Sequence, residues 1–334
     1  MSALAPPFQQ NTMKDWDLTT LGSTMLSLST EAGVPFPGSD GVRVDIAGAE
    51  SNCAIALASL GKRVAWQSKV ARTPLGERIV SKIRARGVDV SKVVWAAEGR
   101  NELMFVESGL GANRTNVIYD RAGASIESLS MDEVDFATIE SSRIFHFSGI
   151  TPALSEGCRE TVAEVVERAR QVGVKVSCDV NYRSKLWSAE EAREEISKLI
   201  GDLDLLLVGQ EDLKALWKRS GDPEDELRRL QDEFRIADVV MTKGPGGAIG
   251  LFGGIIYEQE AFASEVVSPI GAGDAFAAGV LYSLLNEEPA LSLKRGCAMA
   301  ALARESRSDY VLSGIEALEE KMSSGGDSGK RLSR

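Results

Sequence analysis

The stretch ETVAEVVERARQVGVKVSCDV, residues 160–180, holds a helix and a strand separated by one glycine. From Glu160 to Gln171, Val162, Val165, Val166 and Ala169 recur at helical spacing and form one apolar face. Gly173 ends that helix, and Val174 to Cys178 reads at once as a short buried strand. The same unit recurs along the chain. Glu50 to Leu60 reads as a helix stopped by Gly61 and followed by a strand at Val64 to Lys69. Pro74 to Arg86 has Pro at its start and Gly87 at its end. Further strands are expected at Ile144–Phe147, Leu203–Val208 and Val239–Thr242. Helices alternating with short apolar strands predict an α/β fold: βαβ units around a mostly parallel central sheet flanked by helices.

Two regions break this rhythm. Leu18 to Ile46 and Glu102 to Tyr119, extending to Arg121, read as strands joined by glycine-rich turns without enough intervening helix. We read them as a small β-sheet lid on a single unit spanning residues 15–320, with flexible tails at 1–14 and 323–334. A chain of 334 residues that is 43% hydrophobic and 26% charged suits one large globular unit. Its formal net charge of -11 opposes unspecific binding to nucleic acid or to an anionic membrane surface, so an anionic substrate requires a local cationic pocket. Cys53, Cys158, Cys178 and Cys297 form no C-x-x-C pair and sit among small or apolar residues, as buried thiols of a reducing compartment do. No membrane span or secretory leader is read, and the expected location is the cytoplasm.

The strand ending at Cys178 leads into Asp179-Val180-Asn181-Tyr182-Arg183-Ser184-Lys185-Leu186-Trp187, at the strand end where open α/β sheets bind ligands. In an extended segment Asp179, Asn181 and Arg183 share one side, and Arg183 suits a carboxylate or phosphate; the alternative is a polar loop with Trp187 as a core anchor. Near the C-terminus, Val266 to Gly279 places Gly271-Ala272-Gly273-Asp274 directly before a helix. Flexible glycines, a helix N-terminus and a carboxylate together fit phosphate binding and proton removal, though Asp274 alone also fits a helix cap. Gly48, Ala49 and Asn52 form another small-residue turn opening a helix, suited to sugar hydroxyls or simply a turn. Tyr119 and Arg121 lie on one side of a lid strand; with Arg183 they supply a cationic pocket, or Arg121 pairs with Asp120 or Glu127. Lys243, Gly244, Gly246 and Gly247 follow a strand and form either a nucleotide wall or a hairpin turn. His146, within a strand, is read as structural.

In this order the motifs resemble the ribokinase-like (PfkB) carbohydrate kinases over roughly Asp17 to Leu318. The resemblance implies a Rossmann-like ribokinase fold with a β lid that often mediates dimerisation, so a homo-oligomer is expected. It further implies ATP and Mg²⁺ as cofactors, with no metal ligand assigned here. By resemblance, Asp274 is the general base, the turn Gly271, Ala272 and Gly273 is the anion hole, and Gly48 to Asn52 contacts the sugar. Asp179-Val180-Asn181-Tyr182-Arg183 with Tyr119 and Arg121 looks most like 2-keto-3-deoxygluconate kinases. There the tyrosine and arginines hold the sugar acid, and the Asn181/Arg183 segment also reaches the ATP phosphates. Lys243 to Gly247 resembles the loop beside the nucleotide. Several positions depart from the pattern. Ser268 and Ile270 stand where Asp and Thr are frequent near a monovalent-cation site, leaving potassium activation open. Ala71-Arg72-Thr73 replaces a Gly-Asp-Asp-like turn, Ser23 stands where Glu is frequent, and Gly209 to Asp212 only loosely matches a magnesium-linked Asn-x-x-Glu segment. The expected activity is therefore phosphorylation of the terminal hydroxyl of a sugar acid, foremost 2-keto-3-deoxygluconate. The alternatives are a neutral sugar such as fructose or ribose, 5-dehydro-2-deoxygluconate, and ligand binding without catalysis. Stereochemistry and oligomer size are not encoded in any motif.

Overall fold

The computed structural model describes residues 14–109, 115–324 and 330–331. Its centre is a nine-stranded sheet in the order Lys330–Arg331, Ile255–Gln259, Ala248–Phe252, Asp238–Thr242, Leu205–Gly209, Lys175–Asp179, Ser142–Ser148, Trp16–Leu21 and Val64–Gln67. From Asp238–Thr242 to Val64–Gln67 all neighbours are parallel; beyond Asp238–Thr242 the sheet continues antiparallel.

The two-residue alternation of each strand divides the core into two. Leu205, Leu207 and Val240 face the helices Ala49–Ser59, Ala272–Leu285 and Ser292–Arg304. Leu206, Val208, Val239 and Met241 face Glu156–Gln171, Ala189–Leu199 and Pro223–Phe234. Burial on both faces explains why these strands read as unbroken apolar runs. Each such side chain contributes about 1.5–3 kcal/mol on leaving water.

A second sheet of four strands, in the order Arg43–Ala47, Met25–Ser29, Leu103–Glu107, Asn116–Asp120, forms the lid. The reading of Leu18–Leu21 as lid is corrected: Leu18, Thr19, Thr20 and Leu21 are fully buried in a strand between Ser142–Ser148 and Val64–Gln67. The strand read over Val64 to Lys69 breaks at Ser68, and Lys69–Ala71 pairs instead with Val94–Ala96. Ser323 and Ser324, read as tail, close the helix Ile315–Ser324, and Lys330–Arg331, also read as tail, pairs with Tyr257 and Glu258. Lys14, also read as tail, is anchored by its Nζ donating to the Glu140 carbonyl oxygen at 2.7 Å; the rest of both tails falls outside the described residues. All four cysteines are buried and free. His146 is buried, its Nδ1 2.8 Å from Ser177 Oγ, and loss of hydration pushes its pKa down to about 4, so it is neutral inside the sheet.

The small-residue run Phe276 to Gly279 has a packing cause. A Cβ on Gly279 would stand 2.6 Å from the Arg295 carbonyl oxygen and 2.7 Å from Gly296 N, so the helices Ala272–Leu285 and Ser292–Arg304 touch backbone to backbone here. In an open helix Gly→Ala gains about 1 kcal/mol. Gly279→Ala should instead destabilise this protein by about 1–3 kcal/mol, because the helices must separate. Denaturant unfolding measures it; a neutral or stabilising result contradicts the close contact.

Candidate active site

The C-terminal ends of the parallel strands open into a cleft of about 360 Å³ whose roof is the lid. Asp179, Asn181, Arg183, Gly209, Asp212 and Thr242 line its floor, Gly48, Ala49 and Asn52 one wall, Gly271, Gly273 and Asp274 another. Met25, Met104, Tyr119 and Arg121 close it from the lid side.

Asp274 lies in the first turn of Ala272–Leu285, whose N-cap is Gly271. Gly271 has φ +78° and ψ -2°, and a Cβ there would sit 1.8 Å from the Asp309 carbonyl oxygen. Glycine is thus required twice, by dihedral and by contact. The first N–H groups of the helix lack intrahelical acceptors and point toward the cleft end of its dipole. Asn52 Nδ2 donates to Asp274 Oδ2 at 2.8 Å, joining the helix Ala49–Ser59 to the helix Ala272–Leu285. Burial raises the Asp274 pKa from 3.8 to about 7; the Asn52 hydrogen bond and the Arg183 charge restrain the rise, while Glu50 and Asp309 add to it. Asp179 is pushed higher, to about 8, by burial and by Asp274 and Asp212. Asp212 is raised by burial too. The floor of the cleft is a group of carboxylates short of positive charge.

Asp179, Asn181 and Arg183 do converge on the cleft, but not by simple alternation. Asn181 takes a left-handed conformation, φ +41°, and is buried. The carboxylate of Asp179 accepts the Asn181 N–H, and Tyr182 N donates to Asp212 Oδ2 at 3.3 Å. The chain therefore turns sharply at the strand end, a strained non-glycine residue at a ligand-facing position. Trp187 is buried, as the core-anchor reading expects.

Tyr119 and Arg121 line both this cleft and a neighbouring cavity of about 690 Å³ that also includes Arg183 and Lys185. Arg121 does not pair with Asp120 or Glu127. Its Nη1 donates to Glu102 Oε1 at 2.9 Å, its guanidinium carbon lies 4.8 Å from the Tyr119 ring centroid, and Asp120 is held by Arg100 instead. A third cavity, about 240 Å³, meets the cleft at Thr242, Gly273 and Phe276 and is walled by Gly244, Pro245, Gly247, Ala272, Cys297 and Arg304. The glycine loop is a cavity wall and a hairpin turn at once, since Asp238–Thr242 and Ala248–Phe252 are antiparallel. Lys243, read as a cofactor contact, has its ammonium paired with Glu258, and the residues that wall this cavity do not include Lys243 or Gly246.

Two carboxylates went unassigned in the sequence. Glu50, 1% exposed, accepts from Ser148 N, Ser148 Oγ and Thr151 Oγ1 at 3.1, 2.7 and 2.9 Å, pinning the start of helix Ala49–Ser59 to the end of Ser142–Ser148. Glu102 was foreshadowed by the spacing Glu102, Met104, Val106, which puts an acid on the lid face shared by Tyr119 and Arg121. Among the described residues no group of three or more His, Cys, Asp or Glu is arranged to hold a metal ion by itself.

The profile of the pfkB family carbohydrate kinases matches residues 19–313. The chain belongs to this family. A 2-dehydro-3-deoxygalactonokinase of Haloferax volcanii is 38% identical over 94% of this chain and 98% of its own length. The crystal structure of 2-dehydro-3-deoxygluconokinase from Thermotoga maritima superposes with a TM-score of 0.86 at 26% identity, covering 92% of this chain and 98% of that one. A fructokinase with bound ATP from Xylella fastidiosa shares the fold, with a TM-score of 0.80 at 20% identity over 92% of this chain and 98% of its own. This carbohydrate kinase therefore has the ribokinase-like fold that its motifs resemble. No helix among its described residues is long and apolar enough to cross a membrane.

The raised pKa of Asp274 carries a stability consequence. Its folded value, about 7, lies above 3.8, so ionisation opposes folding and stability from this group grows as pH falls from above 7 toward 4. Asp274→Asn should therefore unfold at a higher temperature than the parent at about pH 8, with the gap closing near pH 4. Calorimetry at the two pH values checks this; equal melting at pH 8 contradicts it.

Proposed function

We propose that this kinase transfers the γ-phosphoryl group of ATP to the terminal hydroxyl of a 2-keto-3-deoxy sugar acid, 2-keto-3-deoxygluconate or its C4 epimer. The observation that carries the reading is the placement of Asp274, at a helix N-terminus, in the same cleft as Arg183, Arg121 and Tyr119. One end is fitted to remove a proton and hold phosphate. The other is fitted to hold an acid. The names of the Haloferax and Thermotoga relatives support the substrate class, and they differ at a single stereocentre.

In the proposed reaction Asp274 accepts the hydroxyl proton, the freed oxygen forms a bond to the γ-phosphorus, and the bond to the β,γ-bridging oxygen breaks with ADP as leaving group. The N–H groups of Ala272, Gly273 and Asp274 bind the charge on the migrating phosphoryl oxygens. Gly244 and Gly247 border the cavity suited to the nucleotide, which adjoins the phosphate turn through Gly273. The clustered, charge-starved pair Asp179 and Asp212 fits Mg²⁺ held jointly with phosphate oxygens, the usual way that ion binds with few protein carboxylates. Those two residues would hold the ion, and it would supply neutralisation of the phosphates. Asn181 and Arg183 lie beside them, so Arg183 is placed between phosphate and acid.

Asp274→Asn should lower kcat by about 10²–10⁴-fold, the usual worth of a general base. In the parent, rate should fall about tenfold per unit below about pH 7, because the base must be ionised to accept a proton. Asn52→Ala removes a donor to the ionised form and should move that acidic limb to higher pH. ADP release measured against both sugar acids, fructose and ribose checks the substrate class. Arg183→Ala should raise KM about tenfold or more for the acids and little for neutral sugars. Equal kcat/KM for fructose and the acids, or an unmoved acid KM in Arg183→Ala, rejects the acid assignment.

A further inference from the structure

Glu102 does not line the cleft, yet it is paired with one of its cations, Arg121. In the lid hairpin Leu103 pairs with Asp120 and Met104 with Tyr119. Continuing that register by one residue sets Glu102 opposite Arg121, a cross-strand acid–base pair on the cleft face. Both side chains are withdrawn from water, 2% and 10% exposed, and Nη1 meets Oε1 at 2.9 Å. Ser23, the residue that departs from the family pattern, lies beside the same carboxylate and favours its charged form. Tyr119 backs the guanidinium from its other side, 4.8 Å to the ring centroid. Among the described residues Arg121 donates to Glu102 alone, so its other N–H groups are left for whatever enters the cavities it lines.

We propose that Glu102 is a positioning residue for substrate recognition: with Ser23 and Tyr119 it fixes the Arg121 fork so that the unused N–H groups meet the carboxylate end of the sugar acid. This rests on the sugar-acid reading given above and deepens it. The physical gain is preorganisation, since an arginine otherwise loses considerable side-chain freedom on binding. Holding the hairpin together does not require the pair. Its closing end already carries the Arg100–Asp120 bridge on the other face, with contacts of 2.7 and 2.6 Å, beside the five-residue ladder. The pairing also leaves Arg121 nearly charge-compensated. Net positive charge for the acid then comes from Arg183, while Arg121 contributes direction.

The test is a kinetic double-mutant cycle with 2-keto-3-deoxygluconate, its galacto epimer and the neutral carboxamide of either as acceptors. Glu102→Gln should raise KM for the acids about fivefold to tenfold, with kcat changed less than about twofold and the carboxamide unaffected. In an Arg121→Ala background the same substitution should add nothing, because its effect passes through the guanidinium. An unchanged acid KM in Glu102→Gln, or an equal rise with and without Arg121, overturns the positioning role while leaving the acid reading intact. An unchanged acid KM in Arg121→Ala removes Arg121 from the substrate and overturns both its own assignment and that of Glu102. Should Glu102→Gln fail to fold, Ser23→Ala removes the hydroxyl beside the same carboxylate. It is expected to raise the acid KM about threefold, and no change there overturns the proposal equally.

Discussion

The hydrogen bond from Asn52 to Asp274 joins residues 222 positions apart in the chain, and the geometry of the cleft depends on it. Asn52 stands on a helix that is buried almost all round, so it has little freedom to follow a displaced partner. That helix is fixed at its N-terminal end by Glu50, through three donors at the end of Ser142–Ser148. The helix Ala272–Leu285 is fixed by the seat of Gly271 on Asp309 and of Gly279 on the next helix. Two rigid helices thus present an amide and a carboxylate to each other across the end of a sheet. The catalytic angle in the proposed reaction follows from packing, not from the loop that carries the acid.

The electrostatics of the cleft work in the opposite direction from the rest of the surface. A chain of net charge -11 gathers Asp179, Asp212 and Asp274 in one place and gives them Arg183 as their near cation. Burial makes ionisation of these groups unfavourable, and their mutual repulsion adds to the cost for Asp179. Such a site is held together by the surrounding core at the expense of stability. It is most at ease when positive charge enters, which in the proposed reaction the divalent cation accompanying the phosphates would supply. The same reasoning accounts for Arg121 being tied to Glu102: a second free guanidinium would compensate the carboxylates directly and lower the affinity of Asp274 for a proton.

The repeated helix–glycine–strand unit made the parallel sheet readable, because burial on both faces leaves apolar runs such as Leu203 to Val208 that no exposed element tolerates. Asp274 was legible for a related reason, since a glycine with positive φ before a helix has few uses. Contacts between distant segments were not legible. Leu18 to Leu21 reads like lid because Thr19 and Thr20 interrupt the apolar pattern; only its neighbours Ser142–Ser148 and Val64–Gln67 show why threonines are buried there, with Thr19 Oγ1 2.5 Å from Ser142 Oγ. Lys243 sits in a glycine loop that invites a phosphate role, but the antiparallel strand bearing Glu258 captures its ammonium. Arg183 reaches the cleft by a left-handed turn at Asn181 that two-residue alternation does not foresee.

Departures from a family pattern are usually weighed one at a time as losses. Here at least two are occupied by other interactions. Ser23 lies beside the buried Glu102 carboxylate at the base of the lid and favours its charged form. Ile270, where a polar residue is frequent, packs against the cluster of Met25, Ala47, Met104 and Val106 on the inner lid face. The residue immediately before the phosphate turn is thereby in apolar contact with the sheet that carries Tyr119. A polar side chain there would have to be desolvated without a partner, at a cost of about 1–3 kcal/mol. Moving the lid away would expose this cluster to water, so the closed lid and the formed turn favour each other through shared burial. The coupling is local and needs no relay. Ile270 belongs to both walls of the cleft.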